Sequence, residues 1–276
     1  MVVATPIGNL QDMTPRALEA LAQADVIAAE DTRHSATLTR HFGISTPMLS
    51  LHEHNETRVG EQLLARIRDG EWVALISDAG TPLISDPGFS LVRAAREAGC
   101  LVTVFPGACA AVAALSVSGL PSDRFCFEGF LPARGPARRG RLAELAEQTA
   151  TLIFYESSHR IEACLRDMVA VLGADRPAAV LRELTKLHEQ GRMDRLAALQ
   201  TWLEEDANRR RGEFVVVVGG VTAPTEPERY ELSLDALLDE LLGQLPLKSA
   251  VASVMRLTGA SRNDVYSRAL ARRSDD

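Results

Sequence analysis

Lysine is nearly absent from this chain. Lys186 and Lys248 are the two in 276 residues, and arginine supplies the other 28 of 30 basic positions. Together with the abundant alanine, that reads as G+C-rich coding rather than as function. Cysteine is scarce as well. Cys100, Cys109, Cys126 and Cys164 stand alone, no two at CxxC spacing, which argues against a zinc site and for reduced structural thiols. No apolar run approaches the roughly 20 residues of a membrane helix. The opening MVVATPIGNL has no basic n-region, so no signal peptide is legible and the cytoplasm is the expected location. Positive charge is also short. With 30 basic residues against 37 acidic, the net charge is −7. That balance argues against a chain that coats nucleic acid non-specifically and leaves local basic patches open.

What is present is an ordinary soluble composition, 46% apolar and 24% charged, of a length that suggests about two domains. Apolar strand-like stretches alternate with segments of helical period. Strands are expected at 2–5, 25–30, 47–51, 72–77 and 101–105, with helices between them and a small-residue helix over 108–117. The segment 118–124, SGLPSDR, reads as a linker. The pattern then restarts, with strands at 125–130, 151–156, 178–184 and 213–220 and helices to about 148, over 158–172 and over 193–206. Such alternation reads as α/β with parallel or mixed sheets, one on each side of the linker. A Pro-containing stretch at 222–231 suggests a second linker, followed by two or three short helices. The expected domains are 1–118, 119–222 and 232–276.

Polar residues gather where strands end. The loop from Asp78 to Gly88, DAGTPLISDPG, joins a buried strand to a helix. It carries two glycines and two prolines, so it is stiff and its backbone amides are open to a ligand of adenosine type. It lacks the P-loop lysine and is not GxGxxG. Taken alone it is equally a tight strand-to-helix connection. Thr5–Leu10 and Pro106–Ala110 follow strands one and five and suit the walls of the same pocket. Glu30-Asp31-Thr32-Arg33-His34 ends strand two. A helix cap accounts for Asp31 and leaves Glu30, Arg33 and His34 unexplained. His52-Glu53-His54-Asn55-Glu56 follows strand three, and with no third ligand legible it reads as a capping or substrate-facing loop rather than a metal site. In the second half, Phe154–Arg160, Arg182–Lys186 and Gly212–Phe214 repeat the pattern. Basic charge is concentrated at 134–141, which holds four arginines and no acid, and at 248–273, which holds six basic residues against Asp264. The latter stretch has a helix, a TGAS break and a second helix, and so resembles a helix-turn-helix.

VVATPIGNL, AEDTRH, LHEHNE, SDAGTPLISDPGF, FEGFLP, YESSHR, RELTK and GEFVVVV together resemble one family, from Val2 to about Ala271. It is the 16S ribosomal RNA cytidine 2′-O-methyltransferases of the tetrapyrrole methylase superfamily, class III S-adenosylmethionine enzymes. The resemblance implies two α/β domains of the tetrapyrrole methylase type with S-adenosyl-L-methionine between them, a small helical C-terminal domain, and a homodimer. It implies no metal, and a substrate that is the small ribosomal subunit or its 16S rRNA. Two positions depart from the family pattern. PGACA replaces PGPSA, so Cys109 stands for a serine, and Ser158 stands where proline is usual.

On this reading the donor contacts are expected at Pro6, Asp78, Gly80, Thr81, Pro82, Ile84, Ser85, Ala108, Cys109, Tyr155, Leu184 and Glu213. Substrate contacts are expected at Arg33, His34, His52, Arg160, Arg262 and Arg268. A ribose hydroxyl is a weak nucleophile and calls for a base. Asp31, Glu53 and Glu183 are the carboxylate candidates, with His34 and His52 as alternatives, and the sequence does not choose among them. Two other functions fit the same motifs: a small-molecule, precorrin-like methylase, and a non-enzymatic nucleotide- or RNA-binding protein. The basic segments favour RNA.

Overall fold

The computed structural model describes residues 1–221 and 234–273. The expected linker at 222–231 lies outside the described residues. Residues 1–221 form one compact unit, and the helical segment beyond them forms another.

The first unit holds two five-stranded sheets. The first sheet is built from β1 (Val2–Val3), β2 (Val26–Ala29), β3 (Met48–Ser50), β4 (Val73–Ile76) and β5 (Val104–Phe105). Its order is β3-β2-β4-β1-β5, all parallel. Every residue of β2 and β4 is buried, as continuous VIAA and VALI runs require in a sheet covered on both faces. Helix α1 (Pro15–Gln23) starts where Thr14 caps it, the hydroxyl accepting from Ala17 N at 3.3 Å, with Pro15 in the first turn. Its Ala17, Ala20 and Leu21 cover one face of the sheet. Helices α3 (Glu56–Arg68) and α4 (Phe89–Glu97) cover the other through Val59, Leu63 and Leu91. Helix α2 (Thr32–His41) follows β2.

The second sheet is built from β6 (Phe125–Phe130), β7 (Thr151–Ser157), β8 (Pro177–Arg182), β9 (Gln190–Arg195) and β10 (Glu213–Val218), in the order β6-β7-β10-β8-β9. Only the β6–β7 pair is parallel. Helices α6 (Gly135–Leu145), α7 (Ile161–Leu172) and α8 (Leu196–Glu204) bury one face around Phe154, Leu165 and Val216. Helix α5 (Ala110–Val117) follows the first sheet in the chain, yet its Ala111, Ala114 and Leu115 pack beneath the second, against Ile153, Val215 and Val217. The chain therefore passes between the sheets ahead of the 118–124 segment.

Strand β9 falls partly where a helix over 193–206 was expected. QGRMDR is an edge strand with one partner, β8, so its outer residues are polar and its apolar signal is weak. Helical period begins only at Leu196. Because β10 runs antiparallel to β7 and β8, its first residues lie beside their last ones: Glu213 is opposite Ser157 and Phe214 opposite Arg182. That places a strand start among strand ends.

Among the described residues the C-terminal unit has three helices, α9 (Leu234–Gln244), α10 (Leu247–Thr258) and α11 (Arg262–Arg273), around Leu238, Val251, Val254, Val265 and Ala269. Gly259, at φ +69°, ends α10 in the left-handed conformation that the TGAS break requires.

Candidate active site

Two of the loops beyond the strand ends are held in costly backbone conformations. Among the described residues the non-glycine positions with φ between 50° and 75° are Leu83, Ser85, Glu183 and Thr185. The first pair belongs to the Asp78–Gly88 loop of the first lobe and the second to the Glu183–Lys186 turn of the second. Left-handed conformations of non-glycine residues persist only where the surroundings over-determine them, and they cluster at functional sites.

Between these loops lies a cleft of about 400 Å³. The first lobe contributes Gly80, Thr81, Ile84, Ser85, Asp86 and Cys109. The second contributes Tyr155, Ser157, Leu184, Gly212 and Glu213, with Phe130 at the rim. Eight of the twelve residues expected to contact a donor line this cleft: Gly80, Thr81, Ile84, Ser85, Cys109, Tyr155, Leu184 and Glu213. Pro6 and Asp78 line an adjoining cavity of about 280 Å³ with His34 and Lys186, and Glu213 borders both. Pro82 and Ala108 line neither. Pro82 is buried in the loop, and the Ala108 carbonyl accepts a hydrogen bond from Thr81 Oγ1 at 3.0 Å.

The loop is locked to its neighbours. Thr81 ties it to the turn after β5. Thr5 and Gly80 exchange backbone hydrogen bonds with the turn after β1. Across the cleft, the Tyr155 hydroxyl accepts from Ala111 N at 3.1 Å, joining β7 to the start of α5. Burial, followed by the proximity of Cys109, raises the Tyr155 phenol well above its ordinary range, so it stays neutral.

The two lobes differ in charge at the cleft. In the second, Lys186 Nζ lies 2.8 Å from Glu213 Oε2 and 3.2 Å from Glu183 Oε1. Burial alone would raise the Glu183 carboxyl. The Glu213 N–H and the Lys186 ammonium outweigh it and hold the group below its ordinary value. In the first, Glu30, Asp78 and Asp86 face one another. Burial and the Asp78 charge raise Glu30. Burial, then Glu30 and Asp78, raise Asp86 to about 6, against the opposing effect of the Ser77 hydroxyl. Asp86 was not singled out as a site residue in the sequence, where it is one member of the loop from Asp78 to Gly88. The signal available was its position inside the stiff loop.

The other expected residues are placed as follows. Asp31 caps α2, accepting from Arg33 N at 2.8 Å, and its own N–H donates to Asp78 Oδ1 at 3.0 Å. Arg33 and His34 are exposed in the first turn of that helix. Glu53 and His52 belong to a turn closed by Asn55, whose Oδ1 accepts from His52 N, and they line neither cavity. No group of three or more His, Cys, Asp or Glu among the described residues is arranged to hold a metal. Arg160 is turned behind the second sheet, paired with buried Glu156 at 3.2 Å and donating to the Leu131 carbonyl, which leaves little of it for a phosphate.

The basic stretches are also partly spent within the protein. Arg138 is buried on Asp167 at 2.7 Å, Arg139 shares that carboxylate, and Arg141 bridges Glu128 and Glu144. In the C-terminal unit Arg268 pairs with Asp264 and Asp235, and Arg272 with Asp235 and Asp239. A count over 248–273 omits the acids of α9, which the fold brings onto α11. Lys248, Arg256 and Arg262 are exposed and have no ion pair among the described residues.

Residues 1–200 match the family model of the tetrapyrrole (corrin/porphyrin) methylases, and residues 231–273 match that of the RsmI C-terminal HTH domain. The chain belongs to the tetrapyrrole methylases. A relative from Pseudomonas aeruginosa, named ribosomal RNA small subunit methyltransferase I, is 53% identical over 98% of this chain and 96% of its own length. One of the same name from Escherichia coli O157:H7 is 51% identical over 98% and 93%. Among solved structures, the methylase fold is shared with uroporphyrin-III-C-methyltransferase from Thermus thermophilus, at TM-score 0.56 and 23% identity over 79% of this chain and 92% of that one. The methyltransferase CobJ aligns at TM-score 0.59 and 20% identity, over 80% and 93%.

Proposed function

We propose that this protein transfers a methyl group from S-adenosyl-L-methionine to the ribose 2′-oxygen of a decoding-centre cytidine in 16S ribosomal RNA, acting in the cytoplasm as a homodimer. The observation that carries the reading is identity above 50%, over nearly the whole chain, to relatives named as small-subunit ribosomal RNA methyltransferases, the helical unit included. The same reading assigns donor and catalysis to the lobes 1–118 and 119–222, and RNA contact to 232–276.

The cleft suits the donor by size and chemistry. A volume of about 400 Å³ is that of a small-molecule pocket. Ile7, Leu181, Leu184 and Val215 offer apolar walls, while the locked backbone of Gly80–Thr81 offers polar groups that need no rearrangement. The carboxylates of Glu30, Asp78 and Asp86 set a negative field beside a cationic sulfonium. The donor supplies a methyl group open to in-line displacement, which requires no Lewis acid. The protein's part is to hold nucleophile and methyl group in line and to receive the hydroxyl proton. Lys186 keeps Glu183 and Glu213 in place on the second lobe. His34 lines the adjoining cavity and Arg33 is exposed beside it in the same helical turn, which supports a role for both in RNA contact. Exposed Leu101, Val104, Val112 and Val117 are apolar surface consistent with a second copy.

The test is transfer of labelled methyl from S-adenosylmethionine to small subunits lacking the modification, with a precorrin in parallel. Label on a ribose of 16S rRNA is the expected result. Label on the precorrin alone would move the protein to the small-molecule branch, and donor-independent RNA binding without transfer would remove it from the enzymes. Light scattering in solution checks for twice the chain mass.

A further inference from the structure

We propose that Asp86 is the base that takes the proton from the ribose hydroxyl as the methyl group is transferred. The proposal rests on the reading given under Proposed function and adds to it the residue that performs the proton step.

Of the carboxylates near the cleft, most are already engaged. Asp31 caps a helix through its Oδ1. Asp78 accepts from Asp31 N. Glu183 accepts from the Lys186 ammonium and Glu213 N, and Glu213 accepts from Lys186. Glu156 points behind the sheet to Arg160. Glu53 lines neither cavity. Asp86 lines the main cleft, faces Tyr155 across it, and has no ion pair among the described residues. Its position is enforced by the backbone, because Leu83 and Ser85 before it are both held at positive φ. Two residues later Gly88, at φ +117°, turns the chain into α4. A Cβ on Gly88 would lie 2.6 Å from Leu75 Cδ2, so a side chain there would have to displace Leu75 and also hold a backbone conformation that favours glycine.

The electrostatics agree. The groups facing Asp86 are Glu30 at the end of β2, Ser77 and Asp78 at the end of β4, and the neutral Tyr155 of β7, with Cys109 beside it. None is a cation. Burial and like charge bring Asp86 to about 6, close to the pH at which a carboxylate base must be ionised yet still hold a proton.

The step balances. An oxygen lone pair forms the new C–O bond, the C–S bond breaks, and its electron pair leaves on sulfur, which becomes a neutral thioether. The hydroxyl proton passes to Asp86 and then to solvent. The net charge of the site falls by one as the proton departs, and the sulfonium charge is cancelled.

The experiment uses the full chain and unmethylated small subunits, with single-turnover rates from pH 5 to 9 at saturating donor. In the wild type the rate should rise tenfold per pH unit at the acid end and level off above about pH 6. Asp86→Asn should reduce the plateau by about 10²–10⁴-fold. Its affinity for S-adenosylhomocysteine should stay within threefold of wild type by calorimetry. Asp86→Glu should recover part of the rate. A cooperatively folded Asn variant that keeps its rate within threefold overturns the proposal. So does one that regains full rate when more donor is supplied. If Asp86→Asn does not fold, the wild-type profile decides: no ionisation between pH 5 and 7.5 overturns the proposal. Wild-type protein that transfers no methyl group to subunits refutes the ribosomal reading itself, a result distinct from any of these.

Discussion

Thr5 and Gly80 exchange both of their backbone hydrogen bonds, Thr5 N to Gly80 O at 2.8 Å and Gly80 N to Thr5 O at 3.1 Å. The pair joins the turns that leave two neighbouring strands, β1 and β4, and the Thr5 and Ser77 hydroxyls add bonds to the same Gly80 carbonyl, each at 3.4 Å. Gly80 sits at φ +83°, and a Cβ there would meet Ile7 Cγ2 at 3.2 Å. Gly80→Val should therefore cost about 1–3 kcal/mol in local strain and displace the loop. Calorimetry should show donor affinity reduced at least tenfold while the protein still melts cooperatively. Pro82→Ala, buried in the same loop but outside both cavities, should weaken binding less, through loss of stiffness alone.

Arg138 and Asp167 form a largely buried ion pair, with side-chain exposures of 6% and 11%. Removing one partner of such a pair strands the other charge. Asp167 keeps Arg139 at 3.1 Å, which softens the loss. Arg138→Ala should destabilise the protein by about 3 kcal/mol, read from urea unfolding, whereas Arg139→Ala should change it by less than about 1 kcal/mol. Equal effects would mean that the buried geometry does not decide.

Asp86 predicts a stability change opposite in direction to its effect on rate. Its folded value of about 6 lies above the 3.8 of an unperturbed aspartate. The folded state thus holds the proton more tightly, and stability is lost as pH rises through that interval. Above about pH 6 the native protein carries an unfavourable charge. Asp86→Asn should raise the melting temperature at pH 7.5 and leave it nearly unchanged at pH 3.5. The gain is on the order of 1 kcal/mol once solvent screening at a half-buried site is allowed for. Calorimetric melts at the two pH values test it.

The C-terminal unit yields a prediction about salt. Deleting 232–276 should leave donor binding intact and sharply weaken binding to the small subunit, with a shallower fall of log affinity against log salt. Within the unit, Arg256→Ala and Arg262→Ala should each reduce that slope by about one. Arg268→Ala should reduce the slope less and loosen the helices instead, because Arg268 already pairs with Asp264 and Asp235. A folded, dimeric truncation with unchanged rate and slope would make the segment a structural cap.

Much of this architecture was legible before any coordinates. Nine of the ten strands among the described residues were expected near their positions, because VIAA, VALI and FVVVV are apolar runs bounded by turn residues and Thr14-Pro15 marks a helix start. The polar β9 escaped, having one partner and no buried face of its own to advertise it.

By itself the sequence determined where the strands end and which polar residues collect there, since strand and helix periods are local properties of the chain. It also determined the family, through motifs spread along nearly its full length. What only the tertiary structure decided is which of those polar groups stay free to act. Arg138 and Arg268 look alike in sequence to Arg262, yet both are matched to carboxylates brought from elsewhere in the chain, and Arg160 is taken up by Glu156 four residues before it and by the distant Leu131 carbonyl. Glu183 and Asp86 are both acids beyond a strand. One is held by Lys186 and an amide, and the other faces acids, the Ser77 hydroxyl and a neutral phenol, with no cation among them. Charge pairing and desolvation depend on neighbours far apart in sequence, and those neighbours exist only once the two sheets have closed around the cleft.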